Sequence, residues 1–129
     1  MKSCIFCYPE LDSSQQVIME NKNCLFLQKE QKILKGSGLI VPKNHKETVF
    51  DLNQEEWEDT HDLMLEVKNW LDEEFSPDGY NIGYNCLETG GQHIFHAHMH
   101  IIPRFQDEPY AGRGIRHWLK QESNRRIKR

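Results

Sequence analysis

The residues of this chain best suited to chemistry are three histidines that alternate with apolar residues. They lie in the run His96-Ala97-His98-Met99-His100-Ile101-Ile102. In a β-strand, side chains two positions apart lie on one face, about 6.5–7 Å from each other. A strand over residues 94–102 is therefore expected to present the three imidazoles on one face. Its other face is expected to turn four side chains toward the core: Phe95, Ala97, Met99 and Ile101.

Three interpretations of the imidazole face are open. Scattered surface histidines need no partner, but neighbouring imidazoles repel one another when charged. One metal ion bound by all three is disfavoured, because the outer pair would lie about 13 Å apart along a regular strand. The third is chemistry at phosphorus, in which one neutral imidazole is the nucleophile and another holds phosphoryl oxygens or moves protons. Gly90 and Gly91, just before the strand, permit close approach of an anion to the backbone.

A pair of cysteines, Cys4 and Cys7, has the spacing of a zinc knuckle. Redox Cys-x-x-Cys pairs normally open a helix after a strand, whereas this pair stands at the start of the chain with Pro9 close behind. Two unligated thiols are a further alternative. Zinc would require two more ligands, because two thiolates do not complete a tetrahedral site. Cys24 and Cys86 lie in apolar runs and are expected to be core residues.

The histidine run resembles the His-φ-His-φ-His-φ-φ motif of the histidine-triad (HIT) superfamily, in which φ is an apolar residue. Several other stretches are similar to the same family: Gly90-Gly91-Gln92, Pro103-Arg104, Leu39 to His45 and the strand that ends near Asn85. The resemblance thus extends over most of the chain. It implies one α+β domain over residues 1–129, with an antiparallel sheet of about five strands, one long helix and a short C-terminal helix.

The resemblance also implies a nucleotide hydrolase or transferase that acts at an α-phosphate, with a dinucleoside polyphosphate or a nucleoside phosphoramidate as substrate. His98 would form a nucleotidyl-histidine intermediate, and His100 would bind the α-phosphate and assist proton transfer. Further substrate contacts are expected from four residues: Asn85, Gln92, His93 and Glu30. Glu30 lies where many family members have an aspartate that binds ribose hydroxyls. The alternatives are a non-catalytic, zinc-stabilised nucleotide-binding module and a metal-dependent phosphohydrolase.

A zinc-binding branch of the superfamily implies a set of metal ligands in this chain: Cys4, Cys7, His45 and His96. A Zn²⁺ held by four protein ligands has no open position for a substrate water, so the ion would be structural. This assignment removes His96 from catalysis and leaves His98 and His100 for chemistry.

The elements that position these residues are predicted from periodicity and capping. Strands are predicted over residues 17–20, 23–29, 39–41, 80–86 and 94–102. Asn53 and Glu56 have the spacing of a capping box, and the apolar stripe that follows predicts an amphipathic helix of about 20 residues. The sequence Ser76-Pro77-Asp78-Gly79 ends this helix. A short helix is predicted over residues 113–122.

Composition limits the class of protein. The 129 residues are 37% hydrophobic and 28% charged, as in an ordinary globular domain. No apolar run approaches the about 20 residues that span a bilayer, and the N-terminus lacks the apolar region of a secretory signal. A cytoplasmic location without a membrane partner is therefore expected. The net charge of −4 argues against a nucleic-acid partner, since such domains are usually basic.

Charge is concentrated toward the C-terminus. From Pro103 onward, eight Lys and Arg residues stand against three acids. Residues 123–129 are expected to be a flexible basic tail, whereas the run from Gly112 to Arg116 offers guanidinium groups to extra phosphates or is simply a turn before a helix. The family resemblance further implies a symmetric homodimer, for which Trp57 and Trp70 are candidate interface residues.

Overall fold

Five antiparallel strands form the sheet of the computed structural model, which describes residues 3–127. They are β1 (Gln15–Glu20), β2 (Cys24–Lys29), β3 (Gly38–Pro42), β4 (Gly79–Tyr84) and β5 (Met99–Arg104). Their order across the sheet is β1-β2-β3-β5-β4. The long helix α1 (Gln54–Phe75) connects β3 to β4, and the short helix α2 (Ile115–Leu119) follows β5. The expected α+β architecture is confirmed.

Helix α1 begins at the predicted capping box. The Asn53 side chain accepts a hydrogen bond from the Glu56 amide over 2.8 Å, and the Glu56 carboxylate accepts one from the Asn53 amide over 2.9 Å. These bonds satisfy two amides that the helix itself leaves without partners. Ser76 ends the helix in the left-handed conformation, with φ of 48°. Local sequence therefore determines both ends of α1.

One stripe of α1 packs against one face of the sheet. Leu63, Val67 and Leu71 are fully buried there. The sheet contributes five side chains to this core: Cys24, Phe26, Ile40, Met99 and Ile101. Each fully buried aliphatic side chain contributes roughly 1.5–3 kcal/mol, so this contact fixes the position of the helix and of the strands below it.

The opposite face of the sheet is left free of α1. Because Met99 and Ile101 are buried under the helix, the alternating residues His100, Ile102 and Arg104 lie on the other side of β5. The loop before β1 covers part of that side. Its core is formed by three buried residues, Phe6, Leu27 and Val41.

Strand β5 is shorter than the histidine alternation predicts. Residues 94–98 are irregular, since β4 ends at Tyr84 opposite Met99 and β3 pairs with β5 no further. Without a neighbouring strand, this segment bonds to a loop instead, and the Ala97 amide donates to the Lys46 carbonyl over 2.7 Å. Ala97 is buried as expected, but the prediction for Phe95 was wrong, because its side chain is exposed.

The C-terminal segment crosses the face of the sheet that lacks α1. Helix α2 is shorter than the predicted span of 113–122, and its N-cap, Gly114, offers no side chain to bond the first amides. A single turn of 3₁₀ helix, Glu122–Asn124, follows it. Of the predicted basic tail, Lys128 and Arg129 lie outside the described residues, and the flexibility of the tail stays a prediction. Among residues 3–127, α1 is the long helix, and it is not apolar enough to cross a membrane.

Candidate active site and metal centre

Two thiols and two imidazoles meet beside the sheet, as the sequence predicted. The ligand atoms of Cys4, Cys7, His45 and His96 all lie within 4.8 Å of one another. The Cys7 Sγ lies 3.2 Å from His45 Nδ1 and 3.4 Å from His96 Nδ1, and the two Nδ1 atoms are 3.2 Å apart. A tetrahedron with Zn–S bonds near 2.3 Å and Zn–N bonds near 2.0 Å has edges of roughly 3.3–3.8 Å. The donor set therefore fits Zn²⁺ in both type and spacing.

Three separate segments bring these ligands together. The cysteines lie in a tight turn, in which the Tyr8 amide donates to the Cys4 carbonyl and the Cys7 amide donates to the Cys4 sulfur. Gln15 supports this turn from β1, because its side chain donates to the Ile5 carbonyl over 2.9 Å. His45 follows β3, and His96 lies in the irregular segment before β5.

A backbone carbonyl determines which nitrogen of His96 faces the thiols. Its Nε2 lies 2.8 Å from the Pro42 carbonyl and must donate to it, so Nδ1 keeps the lone pair. The ring is fully buried, and this burial lowers the pKa of His96 to about 4. A neutral imidazole with an oriented Nδ1 is the form that binds a metal ion.

The His98 ring has the opposite orientation. Its Nδ1 lies 2.9 Å from the His96 carbonyl and donates to it, which leaves the lone pair on Nε2. Burial lowers the pKa of His98, an effect that outweighs the carbonyl hydrogen bond. Phe6, between the two zinc-knuckle cysteines, packs against this ring with a centroid distance of 5.1 Å. Local contacts thus keep His98 neutral and fixed.

His100 lies between His98 and two cavities. The centroids of the two rings are 5.1 Å apart. Burial, followed by the charge of His98, lowers the pKa of His100, and its Nε2 is buried without a hydrogen-bond partner among the described residues. His100 lines a cavity of about 280 Å³ on one side and another of about 340 Å³ on the other, whereas His98 lines neither of these two. An unpaired buried nitrogen is unusual and is available to a ligand.

Two of the four further residues predicted to contact substrate lie at these cavities. Glu30 lines the first cavity, near Gln28 and Leu39, on the side of β2 and β3. Asn85 lines the second cavity, at the end of β4. They therefore flank His100 from opposite sides, as contacts to two parts of one substrate would.

Gln92 has a different place from the one predicted. Its side chain is 1% exposed. The side-chain amide donates to the Glu47 and Ile94 carbonyls over 2.6 and 3.1 Å, and its oxygen accepts from the Leu87 amide over 2.8 Å. Both amide hydrogens and one lone pair of the oxygen are used by backbone groups, so Gln92 joins the loop after β3 to the loop between β4 and β5. His93 is exposed and lines neither cavity.

Two functional features were missed at the sequence level. Phe6, between the two cysteines of the Cys-x-x-Cys pair, was given no role, although an apolar residue at that position is expected to pack against the protein. Arg104 was noted only as part of a flank. Its guanidinium donates to the carbonyls of Tyr110 and Arg113, each over 3.0 Å, and to the Glu108 carboxylate over 2.9 Å. These contacts lie 4 to 9 residues away in the sequence, in a segment without regular secondary structure, so no periodic pattern predicts them.

The chain is similar to known proteins in sequence and in fold. The HIT domain family model matches residues 10–107. Protein hit from Bacillus subtilis is 32% identical over 105 residues, which cover 81% of this chain and 72% of that protein. The crystal structure of a HIT family protein from Bacillus anthracis has a TM-score of 0.72 and 31% identity, with 81% of this chain and 74% of that one covered.

Two relatives have names that state an activity. An adenosine 5′-monophosphoramidase from Schizosaccharomyces pombe is 31% identical over 80 residues, or 62% of this chain and 57% of that protein. A bis(5′-adenosyl)-triphosphatase from Dictyostelium discoideum is 33% identical over 72 residues, or 56% of this chain and 48% of that protein. The relatives thus include two nucleotide hydrolases that break different bonds.

Proposed function

This chain belongs to the HIT domain family, and from that membership and the geometry of its site we propose that it is a nucleotidyl hydrolase or transferase that acts at an α-phosphate. The observation that carries the proposal is the orientation of His98. A hydrogen bond to the His96 carbonyl leaves the His98 Nε2 with its lone pair, and the neighbouring His100 ring, 5.1 Å away between centroids, has an Nε2 without a partner among the described residues. One nitrogen is suited to attack phosphorus, and the other is suited to bind a phosphoryl oxygen.

The proposed reaction has two steps. The His98 Nε2 attacks the α-phosphorus, a P–N bond forms, and the bond from phosphorus to the leaving group breaks. The leaving group departs with the electron pair and takes up a proton, for which His100 is the proposed source or relay. Water or another acceptor then attacks the same phosphorus, the P–N bond breaks, and His98 is restored.

The substrate is proposed to lie across His100. Glu30, at the cavity beside β2 and β3, would accept hydrogen bonds from ribose hydroxyls. Asn85, at the other cavity, would contact the phosphate or the leaving group. The names of the two hydrolase relatives support two substrate classes, nucleoside phosphoramidates and dinucleoside polyphosphates. In this proposal Gln92 positions the loops, and the exposed His93 has at most a peripheral contact.

Zinc is proposed as a structural ion at Cys4, Cys7, His45 and His96. The fit of the donor spacing to a tetrahedron supports this assignment, as does the Pro42 carbonyl that fixes the His96 tautomer. When bound, the ion supplies a crosslink among three segments. The proposed reaction does not proceed through it, because four protein ligands leave no open coordination position.

A symmetric homodimer belongs to the same proposal. Trp57 is half exposed and Phe50 is 83% exposed, both near the start of α1. Neighbouring exposed aromatic side chains are typical of a protein–protein contact surface. Trp70 packs against Phe26 in the core, so Trp57 is the better interface candidate of the two. Light scattering that gives one chain mass at micromolar concentration would contradict the dimer.

The function is tested by a product profile over dinucleoside polyphosphates and nucleoside phosphoramidates. We expect release of a nucleoside monophosphate and a loss of turnover on the order of 1,000-fold or more in His98→Asn. His61→Asn is the matched control, because His61 is an exposed histidine on α1, and it should retain full turnover. Wild-type turnover by His98→Asn would contradict the mechanism. Nucleotide binding without turnover by any form would instead favour a binding module.

A further inference from the structure

The segment after residue 107 lies outside the stretch matched by the family model, and it presents aromatic side chains to solvent. Tyr110 is 55% exposed and Trp118 is 51% exposed. The two ring centroids are 5.6 Å apart. The Arg113 guanidinium lies 4.9 Å from the Tyr110 centroid and 5.8 Å from that of Trp118. Two rings and a cation thus form one small cluster, which we call the aromatic clamp (Tyr110, Arg113 and Trp118).

The aromatic clamp is held in place from below. Arg104 donates to the carbonyls of Tyr110 and Arg113, and its guanidinium is itself fixed by Glu108 and Asn81. Two of the three clamp residues are therefore tied through their backbone to β5. An ordered aromatic pair that remains half exposed is suited to hold a planar ligand, since little conformational freedom is lost on binding.

The aromatic clamp borders a cavity on the same side of the sheet as His100. This cavity has a volume of about 600 Å³ and is lined by all three clamp residues, and drug-sized ligands occupy pockets of roughly 300–1,000 Å³. It shares Ile102 with both cavities that His100 lines, and it shares Asn81 with the cavity of Asn85. The three cavities therefore all border Ile102 of β5.

The distance along β5 suits a ligand that extends from one site to the other. His100 and Arg104 lie four positions apart on one face, which is about 13 Å along a strand. Ile115 of α2 borders the His100 end of this path, because it lines the cavity that contains Asn85 and His100. Asn85 lies beyond the other end of β5 from Arg104, so a leaving group that extends along β5 away from Asn85 would reach the aromatic clamp.

We propose that the aromatic clamp is a subsite for a planar aromatic ring on the leaving group, so that dinucleoside polyphosphates are preferred over phosphoramidates of small amines. The inference rests on the proposed function and names the substrate class of the same site. Stacking accounts for the ring, because aromatic side chains bind any nucleobase through its π-face. The Arg113 guanidinium, which makes no salt bridge among residues 3–127, is available to the phosphates between the two nucleosides.

The test compares two substrates that share the adenylyl group. Diadenosine triphosphate carries a second nucleoside, whereas adenosine 5′-phosphoramidate releases only ammonia. We expect Trp118→Ala to lower kcat/KM for diadenosine triphosphate by about 10-fold or more and to leave the phosphoramidate rate unchanged. Leu119→Ala is the matched control, since Leu119 is 63% exposed, follows Trp118 on α2 and lines none of the three cavities. It should change neither rate.

Two further measurements distinguish a folding defect of Trp118→Ala from the loss of its contact with the ligand. Trp118→Phe retains a ring and should keep most of the diadenosine triphosphate rate. In a His98→Asn background, which is proposed not to turn substrate over, Trp118→Ala should weaken binding of intact diadenosine triphosphate and leave binding of AMP unchanged.

The inference is overturned if Trp118→Ala changes both substrates equally, changes neither, or weakens AMP and diadenosine triphosphate binding alike. These outcomes are distinct from failure of the proposed function, in which the His98→Asn variant would still turn over both substrates.

Discussion

Two rings of the histidine triad, His96 and His98, have different backbone partners, and the partner decides which nitrogen of each ring keeps its lone pair. His96 donates from Nε2 to the Pro42 carbonyl and turns Nδ1 to the thiols. His98 donates from Nδ1 to the His96 carbonyl and keeps the lone pair on Nε2. Neighbouring histidines of one motif thus present opposite nitrogens, one to a metal site and the other to the proposed substrate.

The protonation of His98 leads to a prediction for the pH profile. Burial lowers the pKa of His98 below its ordinary value of 6.5. The imidazole therefore stays neutral, and nucleophilic, as the pH falls through 6.5, and it is lost as a nucleophile only when the pH falls below its lowered pKa. The acid limb of kcat/KM for a nucleoside phosphoramidate should accordingly have its midpoint below pH 6.5.

The measurement is a profile of kcat/KM from pH 4.5 to 8.5, with the fold monitored by circular dichroism at each pH. A midpoint at or above 6.5, with the fold intact, would contradict the assigned environment of His98. The substrate's own ionisation is controlled by repeating the profile with diadenosine triphosphate.

Residue spacing and the family resemblance together indicated which side chains to consider. The Cys-x-x-Cys pair and the histidines, read with the resemblance, gave four candidate metal ligands, and these four side chains do lie together. The nitrogen each ring presents was not predictable, because it depends on carbonyls of Pro42 and His96 whose positions are fixed by tertiary contacts. Gln92 was predicted to contact substrate, because nothing in the neighbouring sequence shows that its side-chain amide bonds to the backbone of two loops.

At the scale of elements, the ligand cluster joins parts of the chain that the sheet does not hold. The tight turn with Cys4 and Cys7 precedes β1, His45 follows β3, and His96 precedes β5. Phe6 extends from this turn to the ring of His98 at 5.1 Å. Loss of the proposed zinc should therefore loosen both the N-terminal loop and the packing of Phe6 against His98, the proposed nucleophile.

Removal of the metal provides the second prediction. We expect one Zn²⁺ per chain in the purified protein and a fall in Tm on the order of 10 °C after chelation, since an ion that binds only the folded state stabilises it by several kcal/mol. Cys4→Ser should behave like the chelated protein. Cys86→Ser, at a partly buried cysteine outside the cluster, should keep both the metal and the Tm.

Metal content and Tm are measured on the same samples by elemental analysis and calorimetry. A wild-type protein without zinc after growth in zinc-supplemented medium would contradict the assignment. So would a Tm that is insensitive to both chelation and Cys4→Ser.

Elements differ in how well the sequence predicts them. Helix α1 was predicted with its cap and its end, because Asn53 and Glu56 bond to each other at the first turn and Ser76 bonds to Asp72 at the last turn, each within a few residues. The prediction for the last strand began too early, at residue 94. A strand needs a paired neighbour, and the alternation in residues 94–98 does not show where β3 and β4 end. The predicted span of α2 was also too long, because Gly114 provides no side chain to cap the helix.

For the whole molecule, the two faces of the sheet determine where the candidate site lies. Helix α1 covers one face and leaves the other to the N-terminal loop, the three cavities around Ile102, and the C-terminal segment. The long helix and an antiparallel sheet of about five strands were predicted from pattern and resemblance, whereas the strand order was not predicted. The three cavities were not predicted either, because residues far apart in the sequence line them, such as Ile33 and Trp118 in the cavity of the aromatic clamp.

The most direct test of the central claim is detection of the covalent intermediate. Wild-type protein is mixed with diadenosine triphosphate, quenched within milliseconds in alkaline denaturant that preserves P–N bonds, and analysed by mass spectrometry of the intact chain and its peptides. The account predicts one added adenylyl group, located on His98, that is absent from His98→Asn and still formed by His61→Asn. Turnover at the wild-type rate without any adduct, or an adduct on a residue other than His98, would contradict it.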